Sequence, residues 1–106
     1  MRVNILLYQR EMQTSCKAHP EYKGYLELDE FNPDVCFDLC NWGEYQEEKP
    51  DNLFADVPFC GSSICFENTE TNEYWLALSV GWKHGTKEEI EKYVMENYNS
   101  LFWVEN

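Results

Sequence analysis

Two runs of strand-forming residues, Ser62 to Glu67 and Glu73 to Trp82, flank the polar segment Asn68-Thr69-Glu70-Thr71-Asn72. That pattern is an antiparallel hairpin. In the second run Tyr74, Leu76, Leu78, Val80 and Trp82 alternate with Trp75, Ala77, Ser79 and Gly81. Read as one long strand, it turns its large side chains to one face and, Trp75 apart, small ones to the other. The small residues would let a helix or another backbone come close. A sheet is therefore required, and the remaining segments must cover it.

Thr86-Lys87-Glu88-Glu89 is a capping box, followed by Ile90, Tyr93, Val94, Asn97 and Tyr98 at helical spacing. This predicts a helix over 87–99. Asn32-Pro33-Asp34 starts a second helix, with a capping Asn, Pro at the first helical position and an acid in the first turn. Val35 with Leu39 and Cys36 with Cys40 are four apart and share one side, while Asp34 and Asp38 share a neighbouring one. Gly43 is the expected stop, and a strand is the competing reading of this segment. Val3 to Tyr8 reads as a strand buried on at least one face, and Tyr25 to Asp29 as a strand with an acidic wet face. His19-Pro20 argues against a helix through 9–23. Residues 44–58 read as an acidic loop with a turn at Lys49-Pro50-Asp51-Asn52. Gly81 to Thr86 reads as an ordinary strand-to-helix turn. The apolar Leu101-Phe102-Trp103-Val104 forms an edge strand, closes the core, or is buried in a second copy of the chain. The sum is a single domain over 1–106. It is expected to be α+β, a small antiparallel sheet with two helices packed on one face.

Charge is the strongest functional signal. The 106 residues carry 20 acids and 8 bases, a net of -12. Between residues 27 and 56 ten acids stand against Lys49 alone, a net of -9, whereas residues 1–26 have a net of +2. Clustered like charge works against the compact state and attracts basic partners. The acids are interleaved with Phe31, Phe37, Trp42, Tyr45 and Phe54, and aromatics supply the anchors of many interfaces. The expected contacts are Asp34, Asp38, Glu44, Glu47, Glu48 and Asp51, with Trp42 and Tyr45 as aromatic anchors beside Gly43. A solvated, solubilising surface is the plain alternative. Direct binding to nucleic acid is not expected, because phosphates are repelled and the few bases form no patch.

In size, acidity and the segment 27–56, the chain resembles, at the level of a class, the small immunity proteins that bacteria make against their own contact-dependent-inhibition toxins and nuclease bacteriocins. No residue motif carries the resemblance. It implies an inhibitor that binds a basic protein, a cognate toxin such as a nuclease, and occludes its active site. A DNA mimic that inhibits a DNA-binding protein is a second form of the same idea. The alternative from another class is a zinc-binding adaptor. Cys36, Cys40, Cys60 and Cys65 form two pairs about 20 residues apart, close to zinc-site spacing. Small buried hydrophobes are the plain reading of the same thiols. No cofactor is otherwise called for.

An enzyme is not expected. Cys16 and His19 are three apart and His84 is the only other histidine, so nothing predicts a thiol nucleophile with a base and an oxyanion hole. No segment approaches the ~18 apolar residues of a membrane span. With five cysteines and no export signal, the expectation is a cytoplasmic protein with reduced thiols, either a monomer or a weak homo-oligomer.

Overall fold

A computed structural model of the chain describes residues 1–8, 20–45, 48–55 and 63–97. Strands are β1 (Arg2–Leu7), β2 (Glu21–Glu27), β3 (Leu53–Ala55), β4 (Ile64–Asn68), β5 (Glu73–Ala77) and β6 (Trp82–Gly85). Helices are α1 (Pro33–Cys40), the single turn α2 (Trp42–Tyr45) and α3 (Lys87–Glu96). The strands form one antiparallel sheet in the order β3-β2-β1-β4-β5-β6. The class is α+β. Among the described residues no helix is long and apolar enough to cross a membrane.

The two main helices do not share a face. Val3, Ile5, Leu26, Leu53, Ile64, Phe66 and Ala77 form one core with Cys36 and Cys40 of α1. Leu6, Tyr8, Cys65, Tyr74 and Leu76 form another with Ile90 and Val94 of α3. These sets are alternate residues of the same strands, so they point to opposite sides of the sheet. The physical reason is the run Ile5-Leu6-Leu7-Tyr8. Ile5, Leu6 and Tyr8 are all buried, and a strand apolar on both faces needs a layer on each.

Each helix starts where the sequence says it should. Asn32 caps α1, its Oδ1 accepting from the backbone N–H groups of Asp34 (3.0 Å) and Val35 (3.3 Å). Thr86 and Glu89 complete the capping box of α3 with reciprocal bonds of 3.1 and 3.2 Å. The bond from the Thr86 backbone, and after it that of the Thr86 side chain, holds the Glu89 carboxyl below its ordinary value. The first helix ends at Cys40, and Gly43 falls inside α2 instead of closing α1.

The long second arm of the hairpin is two strands. β5 stops at Ala77, the chain turns through Ser79 and Val80, and Gly81 takes a left-handed φ of +82° before β6 returns along β5. The turn reverses the chain, so Trp82 pairs with Ala77 and falls on the face of Trp75, not that of Tyr74 and Leu76. Residues 82–85 are thus an edge strand and not a bare connection. At the other edge, Leu53-Phe54-Ala55, expected within a loop, pairs with β2. The tail Leu101 to Val104 lies outside the described residues.

Two local features carry predictions. The register of β1 against β2 shifts between Ile5 and Leu6, which leaves Lys23 as an extra residue and puts Gly24 at φ +138°. A Cβ on Gly24 would stand 2.2 Å from the Phe54 carbonyl oxygen. Gly24→Ala should therefore cost about 1–3 kcal/mol, the range for overpacking, measured by urea denaturation. A change within 0.5 kcal/mol would mean that β3 yields freely.

The Tyr8 hydroxyl is buried without a hydrogen-bond partner among the described residues. Burial pushes its phenol well above the ordinary range, with Cys65 and Glu91 adding to the effect. Removing an unpaired buried polar group costs no hydrogen bond. Tyr8→Phe should be neutral or stabilising by up to about 1 kcal/mol. A loss of 1 kcal/mol or more in the same assay would show that the hydroxyl is bonded.

Candidate functional site

The helix α1 is eight residues long and buries only Cys36 and Cys40 completely. Its outer side carries Asp34, Val35 and Asp38, all exposed. A helix that short leaves a gap between itself and the β5–β6 end of the sheet. Asp34, Phe37 and Asp38 line the gap from the helix side, and Ala77 to Ser79, Gly81 and Trp82 from the hairpin side. The groove measures about 310 Å³, at the small end of the roughly 300–1,000 Å³ typical of ligand sites.

Trp82 holds the two sides together. Its indole Nε1–H donates to Asp34 Oδ1 at 3.0 Å, and its ring meets the Phe37 ring edge-on with centroids 6.1 Å apart. Behind it Phe66 and Trp75 lie 5.9 and 6.4 Å away, and Trp75 continues the strip to Phe31 and to His84, which stacks on it at 4.3 Å. Glu73 bonds His84 Nδ1 at 2.9 Å. An aromatic strip thus runs along the outer strands, with a carboxylate at each end. Among the described residues neither Asp34 nor Asp38 forms an ion pair, and no base lines the groove. Lys83 of β6 points to the other face, over the ring of Tyr93 in α3.

The expected contact residues are not gathered into one patch. Asp34 and Asp38 meet at the groove. Glu48 and Asp51 are exposed but belong to the connection that enters β3. In a six-stranded sheet β3 and β6 are five steps apart, roughly 24 Å. Trp42 is half-buried and packs on the core beneath α1. Glu44 and Tyr45 fall in α2, and Glu47 lies outside the described residues. The aromatics at the groove are Phe37 and Trp82. The position of Trp82 depends on the Ser79-Val80-Gly81 turn, whose one local sign is the glycine.

The cysteines do not form the site drawn from their spacing. Cys36 and Cys40 belong to the core under α1, while Cys65 belongs to the core under α3, across the sheet. The backbone of β4 separates them, so these three thiols cannot share one tetrahedral ion. Cys60 and Cys16 lie outside the described residues. No group of three or more potential metal ligands occurs among the described residues.

Shifted ionisation often marks chemistry, but here each shift has a structural cause. Burial pushes Tyr74 up to about 12 and the Cys65 thiol well above its ordinary value, the wrong direction for a nucleophile. All of these groups lie on the α3 side, away from the groove. Cys65 should accordingly react with a thiol reagent such as iodoacetamide roughly 100-fold or more slowly in the native protein than in urea, because reaction must wait for opening. Peptide mapping by mass spectrometry checks this at the single residue, and comparable native and denatured rates would overturn its placement between sheet and helix.

Comparison of the chain with protein-family models, with characterised proteins and with solved structures returned no match.

Proposed function

We propose that the chain is a binding protein that docks a basic protein partner on the α1–β6 side of the sheet. The observation that carries this reading is the groove itself. Two carboxylates on successive turns of α1, unpaired among the described residues, stand at its rim, and an indole forms its wall. Carboxylates steer a cationic partner, and an aromatic wall gives it apolar area to bury. The net charge of -12 adds a long-range field that raises the encounter rate at low salt.

The concrete form of the proposal is inhibition of a cognate toxin, as in the immunity proteins that the chain resembles in size and charge. The groove supports the docking part of this reading. The inhibitory part rests on the class resemblance. Mechanistically, the acidic rim would occupy basic residues that the toxin otherwise uses on its substrate, and catalysis would stop by occlusion. No step involves chemistry by this chain.

The test begins with capture of partners from the source lysate on immobilised protein at low and at high salt. A basic partner should bind stoichiometrically at low salt and lose its own activity in the complex. The double variant Asp34→Lys, Asp38→Lys should slow association by at least about ten-fold, as expected where charge governs the encounter. Asp34→Lys also removes the acceptor of the Trp82 N–H and puts a cation in the first turn of α1, so a loss of about 1–2 kcal/mol is expected and urea denaturation checks that the variant is folded. Unchanged association of a folded variant would remove α1 from the interface.

A further inference from the structure

The groove has features that discriminate between the two kinds of basic side chain. Its wall is a flat indole held at a fixed angle. The Trp82 N–H lies in the ring plane and is bonded to Asp34, so the carboxylate is pinned at the edge of the ring. That bond uses one lobe of Asp34 Oδ1 and leaves the rest of the carboxylate to accept from elsewhere. Asp38 follows one helical turn later on the same side of α1, exposed. At the far side the hairpin contributes Ser79 and a backbone opened by Gly81, around which nothing lies within 4 Å of a would-be Cβ.

A lysine ammonium is a compact, strongly hydrated charge with no face to stack. It would gain from the carboxylates but would waste the indole. A guanidinium is flat, weakly hydrated and carries five donors in a fixed fork. It can lie against an aromatic ring and reach two carboxylates at once. The cavity is also the right scale for a single long side chain and too small for a helix or strand.

We infer that this groove is a socket for one arginine side chain of the basic partner, held between the Trp82 indole and the carboxylates of Asp34 and Asp38. The inference rests on the reading of this side as a docking face. It adds the residue type at the centre of the interface.

The test uses the intact chain and two small probes, N-acetyl-arginine amide and N-acetyl-lysine amide, followed by ¹H–¹⁵N NMR. The indole N–H of Trp82 is the reporter, distinguished by resonance assignment from the other three tryptophans. The arginine probe should shift this signal and the Leu78 to Gly81 amides saturably, in the millimolar range. The lysine probe should bind more weakly. Asp38→Asn should weaken the arginine probe about two- to five-fold, the range of one exposed ion pair. Equal response to both probes, or an arginine response that leaves Trp82 unmoved, would overturn the socket. If an arginine-rich peptide then still bound in a salt-dependent way, the docking face would survive without it. If instead the probe filled the socket but charge reversal of Asp34 and Asp38 left partner capture unchanged, the arginine site would stand and the docking proposal would fall.

Discussion

β1 runs between β2 and β4, and its side chains divide between two cores: Val3 and Ile5 to one side, Leu6 and Tyr8 to the other. A central strand buried on both faces cannot leave either face of the sheet to water, because each would expose a strip of large apolar side chains. One helix on each face is the smallest solution, and the chain provides it with α1 and α3. The placement of α1 opposite α3 follows from that demand. So does the groove, since α1 is too short to cover the β5–β6 end as well as the core under β1 and β4.

The close fit of α1 depends on small buried side chains. Cys36 and Cys40 are its only fully buried residues, and both are compact enough to bring the helix near the sheet. Phe37 and Leu39 of α1 pack partly against the same core, and the hairpin adds Trp82. Trp82 fills the space at the end of the helix and bonds Asp34, so the same indole completes the core and shapes the groove. The acids are left outside by helical geometry alone. With Cys36 and Cys40 inward, the spacing of 3.6 residues turns Asp34 and Asp38 outward.

Local signals were legible and long-range ones were not. The Asn32 cap, the Thr86–Glu89 box, the hairpin through Asn68–Asn72 and the strand at Val3 each depend on a few adjacent residues, and each stands where the pattern puts it. The class α+β followed from them. The side on which each helix packs did not, because Ile5-Leu6-Leu7 is compatible with burial on one face or two until its neighbours are known. The break in the long arm was hidden for a similar reason. Tyr74 to Trp82 alternates without interruption, and period 2 continues in register through Ser79 and Gly81 whether or not the chain turns. That one turn moves Trp82 to the opposite face, and with it the aromatic wall of the candidate site. Asp34 and Asp38 could be read from the sequence as a pair on one helix side. Their aromatic partner, 44 residues beyond Asp38, could not. Trp42 stands beside acids in the sequence yet packs partly on the core, which proximity in sequence does not reveal.

The electrostatics separate two roles that the sequence merged. Ten acids in thirty residues suggest one acidic surface, but the fold spreads them. Asp34 and Asp38 border the outer strands, while Asp51 leads into the strand at the other edge, roughly 24 Å away by strand spacing. At physiological ionic strength the Debye length is about 8 Å, so charges at the far edge add little to a contact made at the groove. They still contribute to the field felt by an approaching partner at low salt, and to keeping copies of the chain apart. Specific holding must come from groups that a partner can touch together. Among the described acids, Asp34 and Asp38 meet that condition beside an aromatic wall. Charge substitutions at Glu48 or Asp51 should therefore act through the rate of encounter and its salt dependence, whereas changes at the groove should also alter how long the complex lasts.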